Sequence, residues 1–159
     1  MILGIDIGLH GHFVVISKDN DVITSYEMPT IDSEYDLQSI NDIFKDLALC
    51  VKYAFIESPI AMPKIPPHTH IKSGYCFGML SAFLSMHKIP FEVVAPNVWT
   101  KTMHKGLSKD MKAKDKSKII VNRLLPDFNS LTRNLTSLNR DGFMDAYLIA
   151  RYGKGFYNE

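Results

Sequence analysis

The chain has 159 residues, enough for one domain with a core of its own. Apolar residues make up 46% and charged residues 22%, which excludes a disordered or fibrous chain; two cysteines exclude a disulfide framework and a four-cysteine zinc site. Lys plus Arg is 18 and Asp plus Glu is 17, so total charge names no partner.

Residues 2–7 form an apolar run broken by one acid, and Gly8-Leu9-His10-Gly11 follows as a turn. Residues 13–16 are a second apolar run, residues 18–21 carry turn chemistry, and residues 22–28 read as a third strand. Three strands with short connections predict an antiparallel meander. The period then changes: Leu37, Ile40, Ile43, Phe44, Leu47 and Ala48 share one face at helical spacing, with Asp36 near the start. Residues 53–56 form a compact strand ending at Glu57. Pro59, Pro63, Pro66 and Pro67 predict a stiff loop that includes His68-Thr69-His70. Residues 70–87 read as a helix rich in small residues, 91–94 as a strand and 96–103 as a short helix. Residues 104–116 read as a basic, flexible loop running into a helix over 116–125. A last helix is predicted over 141–152, stopped near Gly153. The order β-β-β-α-β-α-β-α predicts an α/β, ribonuclease-H-like fold: a five-stranded mixed sheet flanked by helices, spanning 1–159 as one domain. Right-handed crossovers place the fourth strand beside the first.

Asp6 is the informative residue. It sits between Ile5 and Ile7 in a strand that is otherwise apolar, and a buried carboxylate without a partner costs several kcal/mol, on the order of the penalty for any buried charge. Asp6 therefore belongs at a site mouth or on a cation. Glu57 ends the fourth strand, at the carboxyl end where open α/β sheets bind ligands. Asp141 and Asp145 lie four apart and share a helix face. Asp141 also reads as a helix cap; Asp145 is set among apolar residues. Hard carboxylate oxygens select Mg²⁺ or Mn²⁺, and two such ions activate water and steady the leaving oxygen in phosphodiester hydrolysis.

These residues resemble a known family. The opening Ile2-Leu3-Gly4-Ile5-Asp6-Ile7-Gly8, the strand Phe55-Ile56-Glu57, and Asp141-Gly142 with Asp145-Ala146 are similar to the RuvC-type Holliday-junction resolvases. Ala61-Met62-Pro63, Ser73-Gly74 with Phe77-Gly78, and Val93-Val94-Ala95-Pro96-Asn97-Val98-Trp99 before a lysine-rich loop resemble the compact RuvC-like proteins of bacteriophages. The resemblance implies a homodimeric, Mg²⁺-dependent endonuclease that nicks branched DNA symmetrically, with metal ligands at Asp6, Glu57, Asp145 and Asp141. Many members space the last two acids by three; here Gly142 holds that position. Some carry an aromatic just after the second acid; here Ser58-Pro59-Ile60 follows.

Charge is unevenly placed. Residues 19–46 carry eight acids against Lys45 alone, and residues 101–123 carry seven lysines and Arg123 against Asp110 and Asp115. Lys101, Lys105, Lys109, Lys112, Lys114, Lys116 and Lys118 are candidate phosphate contacts, and Lys116 or Lys118 a candidate neighbour of the scissile phosphate. Trp99 reads as a core anchor, His10 and His12 as surface imidazoles, and Cys50 and Cys76 as buried thiols in a reducing compartment. The small residues Ser73, Gly74, Gly78, Ser81 and Ala82 suit either packing on the sheet or an isologous contact with a second subunit. No membrane span or signal peptide is read, so the expected location is the cytoplasm, the host's for a phage protein. A nuclease acting on flaps or RNA–DNA hybrids, or a non-catalytic branched-DNA-binding module, uses the same features. A kinase-like phosphate domain would need a second lobe, so no nucleotide cofactor is expected.

Overall fold

Three antiparallel strands open the chain: β1 (Ile2–Asp6), β2 (His12–Ile16) and β3 (Val22–Glu27). The computed structural model describes residues 1–59 and 66–156, so the motif Ala61-Met62-Pro63 lies outside the described residues. β2 is buried along its whole length and β1 up to Asp6, as their continuous apolar runs require, whereas β3 alternates like an edge strand. A small hairpin, β4 (Thr30–Ile31) and β5 (Glu34–Tyr35), follows. It was not expected, because its turn residues Asp32 and Ser33 take positive φ without the Asn-Gly pair that announces such a turn. Helix α1 (Leu37–Leu47) starts where Asp36 accepts the Ser39 backbone N–H at 3.2 Å.

Strand β6 (Tyr53–Glu57) then runs parallel to β1, as expected, with Ile2 opposite Tyr53 and Ile5 opposite Ile56. Beyond it come α2 (Pro67–Met86), β7 (Phe91–Val94), α3 (Pro96–Met103), α4 (Ala113–Leu124), α5 (Phe128–Leu131) and α6 (Ser137–Phe156). The sheet order is β3-β2-β1-β6-β7, with β6 and β7 also parallel. Each face of the sheet has its own core. Leu3, Ile5, Phe13 and Ile56 pack with Ile40 and Phe44 of α1 and Leu80 and Leu84 of α2. Ile2, Val14, Ile16 and Phe55 pack with Trp99 of α3, Val121 of α4, and Tyr147 and Ile149 of α6.

Several boundaries differ from expectation. α2 begins at Pro67, because proline is pre-organised for the first helical position; His68-Thr69-His70 is therefore helical, not loop. α4 starts at Ala113, not 116. α6 starts at Ser137, so Asp141 lies inside it and is not its cap. α6 also runs past Gly153, whose missing side chain lets the helix cross the Phe55 ring. α5, with four residues, has too little periodicity to read. Cys50 is exposed in the turn after α1, while Cys76 is buried as expected. Among the described residues no helix is long and apolar enough to cross a membrane.

Candidate active site

The parallel register of β1 and β6 continues one step beyond Ile5 and Ile56 to Asp6 and Glu57, so both acids leave the sheet at the same end. α6 brings the third acid. It crosses β1 so closely that a Cβ on Gly4 would stand 2.8 Å from the Ala150 Cβ, and nearer still to the Ala146 carbonyl. At Gly142 a Cβ would strike the His10 carbonyl and lie 3.3 Å from Asp6 Oδ2. The glycine that stands three residues before Asp145 is thus the point where helix and strand end meet. No side chain of any kind fits there, and the fourth acid sits one residue earlier.

The electrostatics follow from burial. The Asp6 carboxyl is held well above the usual range, first by burial, then by the charges of Glu57 and Asp145. Asp145 is pushed up to about 7, by burial and then by Glu57. Glu57 is also raised by burial, against which hydrogen bonds from the Trp99 indole and the Asp6 carboxyl pull it down. Three carboxyl groups thus share one poorly solvated mouth, the arrangement a divalent cation relieves. Asp141 stays at the rim, one helical turn before Asp145, and is ion-paired with Lys114. Among the described residues no three His, Cys, Asp or Glu side chains are gathered about one point as metal ligands.

Two of the acids are oriented from behind. Trp99, 2% exposed, donates its indole N–H to Glu57 Oε1 at 2.8 Å. Ser117 Oγ donates to Asp145 Oδ1 at 3.3 Å and meets His104 Nε2 at 3.1 Å. A cleft of about 260 Å³ lies between these groups, lined by Glu57, Trp99, Lys114, Ser117, Asp141 and Asp145. The core role expected for Trp99 is present, and its N–H does more. A buried indole N–H needs an acceptor, and that was the one signal available. Nothing in the sequence marks Ser117 or His104.

The lysines separate by position. Lys114 reaches the cleft, and Lys118 faces an adjoining cavity. Lys116 Nζ is directed at the Lys109 carbonyl, at 3.5 Å. Lys101, Lys105, Lys109 and Lys112 are exposed on α3 and the connection to α4. His10 is exposed and meets Asn139, but His12 is no surface imidazole. It is 1% exposed against the Phe143 ring, and burial lowers its pKa to about 4. It pairs with Asp6 across β1 and β2, on the α6 side of the sheet, where its neighbours are apolar.

No family model matches the chain, and a search of curated proteins found no match. Solved structures do match. The chain is similar to T. thermophilus RuvC in complex with Holliday junction substrate, with a TM-score of 0.67, 18% identity, and coverage of 98% of this chain and 93% of that one. It is similar to a second Thermus thermophilus RuvC structure with a TM-score of 0.62, 15% identity, and coverage of 98% and 96%. At such identity the likeness speaks for architecture: this chain has the α/β fold of RuvC, a five-stranded mixed sheet flanked by helices.

Proposed function

We propose that the chain is a metal-dependent endonuclease that resolves four-way (Holliday) and other branched DNA by paired phosphodiester hydrolysis. One observation carries the reading: Asp6, Glu57 and Asp145 converge at the ends of two neighbouring parallel strands, beside a lysine-bearing helix. That T. thermophilus RuvC has been solved with a Holliday junction substrate supports the choice of DNA form.

In this reading Asp6, Glu57, Asp145 and Asp141 hold Mg²⁺, with Mn²⁺ able to substitute. Two divalent ions supply Lewis acidity at the attacking water and the leaving oxygen. The chain supplies the rest. Trp99 and Ser117 fix the directions of Glu57 and Asp145 before substrate arrives. Lys114 neutralises Asp141 while no cation is present, and offers the cleft its nearest ammonium. Lys101, Lys105, Lys109, Lys112 and Lys118 attract the phosphate backbone without reading bases.

Two symmetric nicks need two sites, so the reading includes a homodimer. Gly74, Gly78 and Ala82 lie on the exposed face of α2, beside exposed Ile71, Tyr75 and Met86. Among the described residues, Cβ atoms on Gly74 or Gly78 would meet nothing within 4 Å, so these two glycines do not pack on the described sheet.

The test is a synthetic four-way junction incubated with Mg²⁺, beside a duplex, a flap and an RNA–DNA hybrid, with Asp6→Asn run in parallel. Paired nicks in the junction, absent in the variant and without metal, are expected. Cutting of the flap or hybrid alone would change the substrate. Salt-sensitive junction binding with no cutting of any substrate would refute the enzyme.

A further inference from the structure

Beside the carboxylate cleft lies a second cavity of about 380 Å³. The two share Lys114, Asp141 and Met144, and the Lys114–Asp141 ion pair stands at their boundary. The floor of the second cavity is apolar: Phe128 is 2% exposed and Met144 is 4% exposed. Its rim is cationic, with Lys114, Lys118 and Arg140 against Asp115 and Asp141. Asp141 is already neutralised by Lys114, so the balance favours an anion.

Arg140 is held in place. Its guanidinium lies 5.2 Å from the centre of the Phe128 ring, and Nη2 donates to Asn129 Oδ1 at 2.8 Å. That bond uses one of the five guanidinium donors, and Arg140 and Asn129 both line the cavity. A free inorganic anion would gain nothing from the apolar floor. An apolar ligand would gain nothing from Lys118 and Arg140, the two rim cations outside the Lys114–Asp141 pair. A nucleotide uses both, and the volume suits one such unit, since ligand cavities run from about 300 to 1,000 Å³.

We propose that this cavity receives one nucleotide of the cleaved strand, immediately beside the scissile phosphate, and that Arg140 anchors it. The proposal rests on the nuclease reading above and adds a subsite to it. A nucleotide can enter only when its base leaves the stack, and the arms of a branch point are where that costs least. The cavity therefore favours branched DNA over duplex.

The experiment separates binding from cutting. Junction affinity is measured for the full chain in Ca²⁺, which is not expected to support cleavage, across a salt series. The comparison includes Arg140→Gln, Arg140→Lys and Asn129→Ala. Arg140→Gln is expected to weaken junction binding by roughly tenfold or more and to flatten the log K against log salt slope by about 0.7 to 0.9. Arg140→Lys should recover the slope but not the full affinity, because lysine lacks the planar fork. In parallel, 2-aminopurine is placed on either side of the mapped nick. Its fluorescence should rise at one position on binding, and less so with Arg140→Gln. Unchanged affinity, an unchanged salt slope, or no fluorescence change at either position would overturn the subsite. A thermal melt identifies any variant that loses affinity by unfolding; Asn129→Ala, which frees the guanidinium without removing it, then carries the comparison, with a partial loss expected. Failure of the nuclease reading is a separate result, namely no cutting by the unmodified chain in Mg²⁺ or Mn²⁺.

Discussion

Asp145 titrates in the range where the protein must work, and the sign of its effect is fixed. Its carboxyl rises from 3.8 to about 7 because the native state disfavours its charge. The stability it lends the metal-free fold is full below the unfolded value and is lost as pH rises through about 7. At pH 8 the metal-free protein therefore carries an uncompensated charge. Asp145→Asn should raise its melting temperature there while abolishing cleavage. A cation reverses the balance, because binding requires the proton to leave. Mg²⁺ affinity should climb between pH 6 and pH 8, and calorimetry in buffers of different ionisation enthalpy should detect proton release at pH 6. A pH-independent affinity would contradict the proposed ligand role. Trp99 acts on the neighbouring acid: its N–H lowers the Glu57 pKa against burial. Trp99→Phe keeps a ring in the core and removes that donor. Metal affinity or activity should fall by roughly 10- to 100-fold, the usual effect of losing a group that orients a ligand. The pH profile should move upward, and added Mg²⁺ should restore part of the rate. A loss that neither pH nor Mg²⁺ repairs would mean the indole serves packing alone.

The contact between α6 and β1 is the element on which the site depends, and two glycines set it. Gly4→Ala would push a methyl into the Ala146–Ala150 turn. Overpacking of this kind costs about 1–3 kcal/mol, which urea denaturation would register. Gly142→Ala would push instead on the His10 carbonyl beside Asp6. The relief available is a small withdrawal of α6, which carries Asp145 away from Glu57. A displacement on the order of 1 Å can cost about a hundredfold in rate, so activity should fall further than stability does. Equal activity in Gly142→Ala would show that α6 can yield without moving Asp145. The same contact explains what the sequence disclosed. Strands β1, β2, β6 and β7 were legible because each is a short apolar run between turns, and the Asp6 and Glu57 interruptions in that pattern marked the site. The start of α6 was not legible. Residues 137–140 are polar apart from Leu138, which is exposed, and lie before the buried stripe, so periodicity begins only at Asp141 and makes it look like a cap. Helix α4 was shortened for the same reason, its first turn being Ala113-Lys114-Asp115-Lys116. The orienting network was hidden because Trp99, Ser117 and His104 acquire their roles only when α3 and α4 pack against α6.

The two faces of the sheet divide the labour of the molecule. On one face α3, α4 and α6 build the carboxylate mouth and carry the lysines. On the other, α1 and α2 cover the second core, and Asp32, Glu34, Asp36, Asp42 and Asp46 lie along the hairpin and α1, while Glu27 of β3 meets Asn139 of α6. Under the proposed reading, branched DNA would be drawn to the α4 side, where the lysines of residues 101–118 are concentrated. In the same reading one cleft cuts one strand, and paired nicks would bring the outer face of α2 against its counterpart across a two-fold axis. Gly78 allows that idea to be tested cleanly. It is exposed and helical, and among the described residues nothing lies within 4 Å of where a Cβ would point. Gly78→Lys should therefore leave the folded chain intact and even stabilise α2, since glycine within a helix costs about 0.8–1 kcal/mol relative to alanine, and lysine is close to alanine. In a dimer the same substitution buries a long charged side chain at a close helix contact, which is costly without a partner. Sedimentation should show the unmodified chain as a dimer at micromolar concentration and Gly78→Lys as a monomer with an unchanged or higher melting temperature. The variant should then nick junctions at single, uncoordinated positions while its Mg²⁺ affinity stays the same. A Gly78→Lys protein that remains dimeric would move the interface off α2. An unmodified chain that sediments as a monomer, even with junction bound, would mean that symmetric cutting is not built on a pair of these subunits.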